Sequence, residues 1–128
     1  MLQTPRASIS NGNIKGSINL QGGVIDNIYL NNYKETINKD SKNVSLLIPK
    51  GSKSVYYFAI EYKDITNNET INTNNMWNPQ DENNTNEAKI KTNTRNNLEI
   101  ERIIKLDDKY LITITDKITN KSDHPVVL

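Results

Sequence analysis

Apolar and polar residues alternate with a period of two over the last third of the chain. Between positions 98 and 106, Leu98, Ile100, Ile104 and Leu106 share one face with Arg102, while Glu99, Glu101 and Lys105 share the other with Ile103, which is the signature of a half-buried strand. The preceding run, 90–94, ends at Asn96-Asn97, residue types that accept the positive φ of a hairpin turn. Beyond Asp107-Asp108-Lys109, the residues Tyr110, Ile112, Ile114 and Ile118 alternate with Leu111, Thr113, Thr115 and Thr119. Residues 89–128 therefore predict a three-strand antiparallel meander with one wet face. Pairing of 98–106 with 110–119 is expected to bury Ile100, Ile104, Ile112 and Ile114, and the polar run 120–125 ends the last strand.

The first third is patterned less evenly. Residues 7–10 and 13–20 predict two short strands around Asn11-Gly12, with Ile14, Ile18 and Leu20 on one face. After Gln21-Gly22-Gly23, residues 24–30 predict a strand with Val24, Ile28 and Leu30 facing one way and Ile25 and Tyr29 the other, a pattern that implies burial on both sides. The polar stretch 31–43 predicts a loop, 44–48 a short strand stopped by Pro49, and 54–63 a longer strand whose Tyr56, Tyr57, Phe58, Ile60 and Tyr62 mark it as core. Residues 64–86 offer few apolar anchors, so that stretch is expected to be a mobile loop with Met76-Trp77-Asn78-Pro79 as its one fixed point.

No window places apolar residues at i, i+3, i+4 and i+7 over three turns, and the many Asn and Thr residues disfavour helix interiors. The predicted class is all-β, an antiparallel β-sandwich of two packed sheets. At 128 residues and 14.6 kDa the chain amounts to one domain. Its 34% hydrophobic content is low, and Asn alone supplies roughly one residue in six, composition that raises a disordered alternative. Against disorder stand the periodic strands and the near balance of 16 basic and 15 acidic residues.

A formal charge of +1, with Lys scattered beside Asp and Glu, argues against a nucleic-acid partner, which needs a basic stripe to displace counterions. Without cysteine neither a disulfide framework nor a thiolate metal site can form. No stretch of about 18 apolar residues occurs. Candidate chemistry is sparse. His124 is the only histidine and stands before Pro125 at a turn, so acid–base catalysis or a zinc site of the usual kind lacks its residues. The pair Glu99/Glu101 projects from the wet face of a strand, Asp107/Asp108 occupies a turn, and Asp81, Glu82 and Glu87 lack the spacing of a calcium loop. Trp77 is the only tryptophan and the one candidate ligand or peptide contact. On an exposed loop it would stack a sugar or a peptide; near Pro79 it reads more readily as a plug beneath its own loop.

Two sets of phrases resemble a known family. Leu98-Glu99-Ile100-Glu101-Arg102, Asp107-Asp108-Lys109-Tyr110, Ile114-Thr115-Asp116-Lys117-Ile118-Thr119-Asn120 and Pro125-Val126 are similar in order and spacing to the periplasmic domain of the bacterial membrane protein insertase family YidC. Thr4-Pro5-Arg6, Gly16-Ser17-Ile18-Asn19-Leu20, Gly22-Gly23, Ile25-Asp26-Asn27-Ile28 and Tyr33-Lys34-Glu35-Thr36 resemble the first hairpin of that domain, and Leu46-Leu47 with Pro49 through Gly51 fit the family's next segment. The resemblance implies a β-supersandwich akin to galactose mutarotases, of which 1–128 is the first half. It further implies a non-enzymatic domain without cofactor, on the periplasmic side of the inner membrane. The whole protein would assist inner-membrane protein substrates, with or without the Sec translocon, through a membrane portion that lies outside these residues. The family's Sec-contacting segment lies later in the domain, so no residue of 1–128 is assigned to it. Cut at Leu128, such a half-domain is expected to self-associate through unpaired strands. The alternatives from other classes are a carbohydrate-binding β-sandwich module, in which Trp77 would hold the sugar, and a surface or adhesion β-domain.

Overall fold

The computed structural model describes residues 5–34, 43–47, 58–80 and 85–128. Ten strands form among them, in chain order β1 (Arg6–Ser10), β2 (Ile14–Asn19), β3 (Val24–Lys34), β4 (Asn43–Leu47), β5 (Tyr62–Asp64), β6 (Glu69–Ile71), β7 (Asn78–Pro79), β8 (Glu87–Asn93), β9 (Leu98–Leu106) and β10 (Ile112–Asn120). No helix occurs among the described residues. One sheet has the order β1-β2-β3-β4, a second β10-β9-β8-β7, and β5 pairs with β6 alone. All pairings are antiparallel.

Each hairpin is closed by the residue type its geometry demands. Between β1 and β2, the Asn11 side-chain oxygen accepts the N–H groups of Asn13 and Ile14 at 2.9 and 2.8 Å, an Asx turn. Between β8 and β9, Asn97 adopts φ +60°, and Leu98 N–H donates to the Thr94 hydroxyl at 3.2 Å. Asp107 builds the β9–β10 turn by accepting from the N–H groups of Lys109 and Leu111 at 2.8 and 3.0 Å.

The two four-stranded sheets face each other across one core. Ile9, Ile14, Ile18, Ile25 and Ile28 of the first sheet meet Ala88, Ile90, Ile100, Ile104 and Leu106 of the second, with Trp77 among them. This is the all-β sandwich that the alternation predicts. The strict period of β9 is realised at every position: Leu98, Ile100, Arg102, Ile104 and Leu106 are buried, and the residues between them are not. β10 pairs with β9 over its full length, Ile112 with Leu106 through Asn120 with Leu98. It is an edge strand in that sheet, so Ile112, Ile114 and Ile118 are only half-buried, packed on the rim of the core. That corrects the expectation that Ile112 and Ile114 are buried like Ile100 and Ile104.

The first sheet departs from simple alternation. Ser17 pairs with Asn27 but Ile18 pairs with Ile25, so Asp26 is an extra residue in β3, a β-bulge. The bulge reverses the phase, which is why Ile25 and Ile28 both enter the same core instead of facing opposite sides. Of the strand expected at 54–63, residues 54–57 lie outside the described residues. Phe58 forms a single bridge to Ile25 and is 46% exposed, so it is not the core residue that aromatic density suggests; the regular strand begins only at Tyr62. Ile48 and Pro49 also lie outside the described residues. In the stretch 64–86, the described residues include β6 and β7, where the residue pattern alone suggests loop.

Candidate functional site

Among the described residues, a dense network of side-chain contacts surrounds Trp77. The chain between β6 and β7 is stitched to the β2–β3 turn: Trp77 N–H donates to Leu20 C=O at 2.7 Å, Gly22 N–H to Asn75 C=O at 2.8 Å, and Gln21 bridges to Met76. These bonds drive the indole inward to 0% exposure, and its Nε1–H donates to Thr73 C=O at 3.0 Å. Gly22 and Gly23, at φ +86° and +63°, provide the turn. Gly23 also has a packing reason: a Cβ there would lie 2.8 Å from the Trp77 ring and 3.1 Å from Arg102 Nη1.

Arg102 projects from the core face of β9 and lies over the Trp77 ring, its guanidinium carbon 4.6 Å from the ring centroid, a cation–π contact. Asp116, its direct partner across β9–β10, accepts from Nε at 2.7 Å and from Nη2 at 2.8 Å. That bidentate fork is the geometry in which a buried Arg–carboxylate pair recovers its desolvation cost. Nη1 donates to Gly23 C=O at 2.9 Å across the two sheets. Tyr62 of β5 donates its hydroxyl to Asp116 at 2.5 Å. Burial, reinforced by that bond to an ionised neighbour, pushes the Tyr62 phenol up to about 12.

Two further charged groups stand apart. Arg6 of β1 reaches across β2 to Asp26, the bulge residue, and its Nε donates to the Ser17 hydroxyl at 2.6 Å. On the solvent side of the second sheet, Glu99 accepts from Lys121 and, at 2.7 Å, from Lys91, and these ammonium groups draw its carboxyl down to about 2. Among the described residues no buried side-chain nitrogen or oxygen lacks a hydrogen-bond partner, and no group of three or more His, Asp or Glu could hold a metal ion.

The residues singled out in the sequence are not brought together. Trp77 has no exposed face, and one side of its ring is occupied by Arg102, so a ligand would reach it only if the strands over it opened. His124 is exposed beside Asp123, 3.1 Å from its carboxylate. Glu99 and Glu101 lie on the outer face of β9, Asp107 and Asp108 in the β9–β10 turn, and Glu87 near Lys89; Asp81 and Glu82 lie outside the described residues. The cluster contains Arg102, Asp116 and Tyr62, none of which the sequence marks as chemically active. The signal for two of them is in the pattern: Arg102 sits in phase with the buried residues of β9, and Asp116 in phase with Ile114 and Ile118 of β10. Held in a buried fork, this pair can brace two sheets; it does not present a base or nucleophile to solvent.

Comparison with known proteins gives a consistent result. The family described as YidC periplasmic domain matches residues 6–128. A membrane protein insertase YidC of Beijerinckia indica is 36% identical over 129 residues, covering 98% of this chain and 21% of its own length. Those of Brucella suis and Roseobacter denitrificans are 32% and 33% identical, over 98% of this chain and 21% and 22% of theirs. The chain spans about a fifth of the length of the curated relatives it matches. No solved structure matches it.

Proposed function

The chain belongs to the YidC periplasmic domain family, and from that membership we propose that it is a non-catalytic part of a membrane protein insertase, standing on the periplasmic side of the inner membrane. The observation that carries this reading is the extent of the match: residues 6–128 include both sheets and the Trp77–Arg102–Asp116 brace between them, so the likeness concerns a whole packed unit instead of a short motif. Among the described residues the Trp77–Arg102–Asp116 constellation is buried and serves packing, which supports the reading of a rigid module presented beside a membrane, with insertion itself performed elsewhere in the longer protein. Its substrates are then inner-membrane proteins, met alone or beside the Sec translocon.

The test uses the full-length protein. Residues 1–128 contain no cysteine, so in a full-length protein whose other cysteines are replaced by serine, single cysteines at the exposed positions Thr113 and Thr119 report only on this domain. A membrane-impermeant maleimide is expected to label both in cells with a permeabilised outer membrane and an intact inner membrane, and the same protein is expected to restore membrane-protein insertion in cells depleted of their own insertase. Labelling that requires rupture of the inner membrane would overturn the location. Failure to restore insertion, with the protein stably present in the membrane, would overturn the function.

A further inference from the structure

Asn11-Gly12 is the only Asn-Gly pair in a chain rich in Asn, and its side chain occupies an unusual position. While its oxygen caps the β1–β2 turn, its Nδ2 donates to Asp107 C=O and to Lys109 C=O, both at 2.8 Å. Asn13 adds a bond from its own Nδ2 to Asp108 C=O at 3.3 Å. Three consecutive carbonyls of the β9–β10 turn thus face amide donors from the β1–β2 turn, 95 to 98 positions away in sequence. Asn11 clasps the tips of two hairpins, one from each sheet.

We propose that Asn11 is a deamidation site whose modification opens this clasp, and that the native fold guards it. The backbone nitrogen of Gly12 attacks Asn11 Cγ, forming a C–N bond and losing its proton, and the side-chain Nδ2 leaves as ammonia. Water then opens the resulting five-membered imide to aspartate or isoaspartate, so that the net change is amide plus water to carboxylic acid plus ammonia. Glycine at position 12 favours the attack because it carries no side chain to shield its nitrogen; it is present because the turn needs φ +92°. In the native turn the attack is opposed, since Cγ cannot rotate toward Gly12 N without breaking bonds at both Oδ1 and Nδ2.

Deamidation removes the donor that the clasp requires. A carboxylate has acceptors only, so an oxygen would replace Nδ2 at 2.8 Å from two carbonyl oxygens, in a turn already carrying Asp107 and Asp108. The two hairpin tips would separate and their amides would open to solvent.

Peptide mass mapping of the protein aged at mildly alkaline pH, in native buffer and in urea, tests the guard. In urea Asn11 is expected to deamidate faster than any other Asn of the chain; in native buffer its rate is expected to fall at least about tenfold, the factor set by one to two net hydrogen bonds. Equal rates in the two conditions would overturn the proposal. Asn11→Asp tests the clasp, and hydrogen exchange is expected to accelerate in both turns, 11–13 and 107–111, while the amides of β9 remain protected. If Asn11→Asp fails to fold, Asn11→Ser, which keeps the turn cap but loses the two long donors, provides the same readout. Exchange unchanged at 107–111 in a folded variant would sink the idea.

Discussion

Arg102 and Arg6 each carry a positive charge into one of the two sheets and meet an aspartate there, yet they reach it by different routes. Arg102 and Asp116 are direct neighbours across β9–β10, both buried, and a regular period of two places them. Arg6 spans an intervening strand to reach Asp26, and it remains 27% exposed while its partner is 2% exposed. That partner is the extra residue of the β3 bulge. Where alternation is unbroken, the ion pair is symmetric and dry; where the strand is bulged, one end stays wet. The expected energetic consequence is that the second sheet depends on its pair more heavily than the first.

Arg102→Met is expected to cost about 3–5 kcal/mol, the range for leaving one buried partner of an ion pair uncompensated. Arg6→Ala should cost about 1–3 kcal/mol, because water can approach Asp26 along the path Arg6 vacates. Urea melts of the two variants rank the pairs directly. The comparison sharpens with Arg102→Met combined with Asp116→Leu: replacing both charges by apolar groups is expected to be milder than Arg102→Met alone. A double variant worse than the single would show that the pair contributes more than mutual compensation.

The contrast between core and rim comes next in size. Ile104→Ala, at a buried position of β9, is expected to lose about 2–5 kcal/mol, whereas Ile112→Ala on the half-buried edge strand should lose about 1–2 kcal/mol. Thr113→Ala, facing solvent, should fall within about 0.5 kcal/mol of the parent. If Ile112→Ala matched Ile104→Ala in chemical denaturation, β10 would be covered more fully in solution than its place at the sheet edge indicates.

Gly23→Ala probes the junction where the two sheets meet. Its left-handed backbone and the 2.8 Å approach of a new Cβ to Trp77 are expected to cost about 1–3 kcal/mol and to shift the tryptophan emission. At Gly12 nothing lies within 4 Å of a new Cβ, so Gly12→Ala should cost only the backbone penalty, roughly 1–2 kcal/mol. Equal losses at both glycines would remove the packing role of Gly23.

The smallest effect lies on the wet face. Glu99 is held at about 2, below its ordinary 4.5, by Lys121 and Lys91, so the unfolded state binds the proton more readily. The stabilisation is fully present above pH 4.5 and is lost as pH falls toward 2. Melting temperature followed through that window should fall more steeply for the parent than for Glu99→Gln. Parallel profiles would mean that the lysines do not hold Glu99 in solution, as solvent screening of exposed pairs allows.

The legible parts of the molecule are those where a local rule suffices. The faces of β9 and β10 follow from alternation, the hairpin turns from Asn11-Gly12, Gly22-Gly23, Asn96-Asn97 and Asp107-Asp108, and the all-β class from the absence of a helical period. Arg102 stands in the buried phase of β9 and Asp116 in the inward phase of β10, so the central pair is within reach of the same rule. The rule fails at β3, because a bulge shifts phase by one residue and no residue type in Ile25-Asp26-Asn27 announces it. It fails again at Phe58, where an aromatic side chain that reads as core is left partly exposed.

By itself, then, the amino-acid order determined the elements: the period of each strand, the turns between them, and a family likeness carried by the order of short phrases. Tertiary structure alone decided burial and partnership. Trp77 became interior because the chain before β7 is bonded to the β2–β3 turn, and Arg102 found its third partner at Gly23, 79 positions away. Alternation is written between residues two apart, whereas the loss of solvent at an indole or a guanidinium depends on which distant strand arrives to cover it.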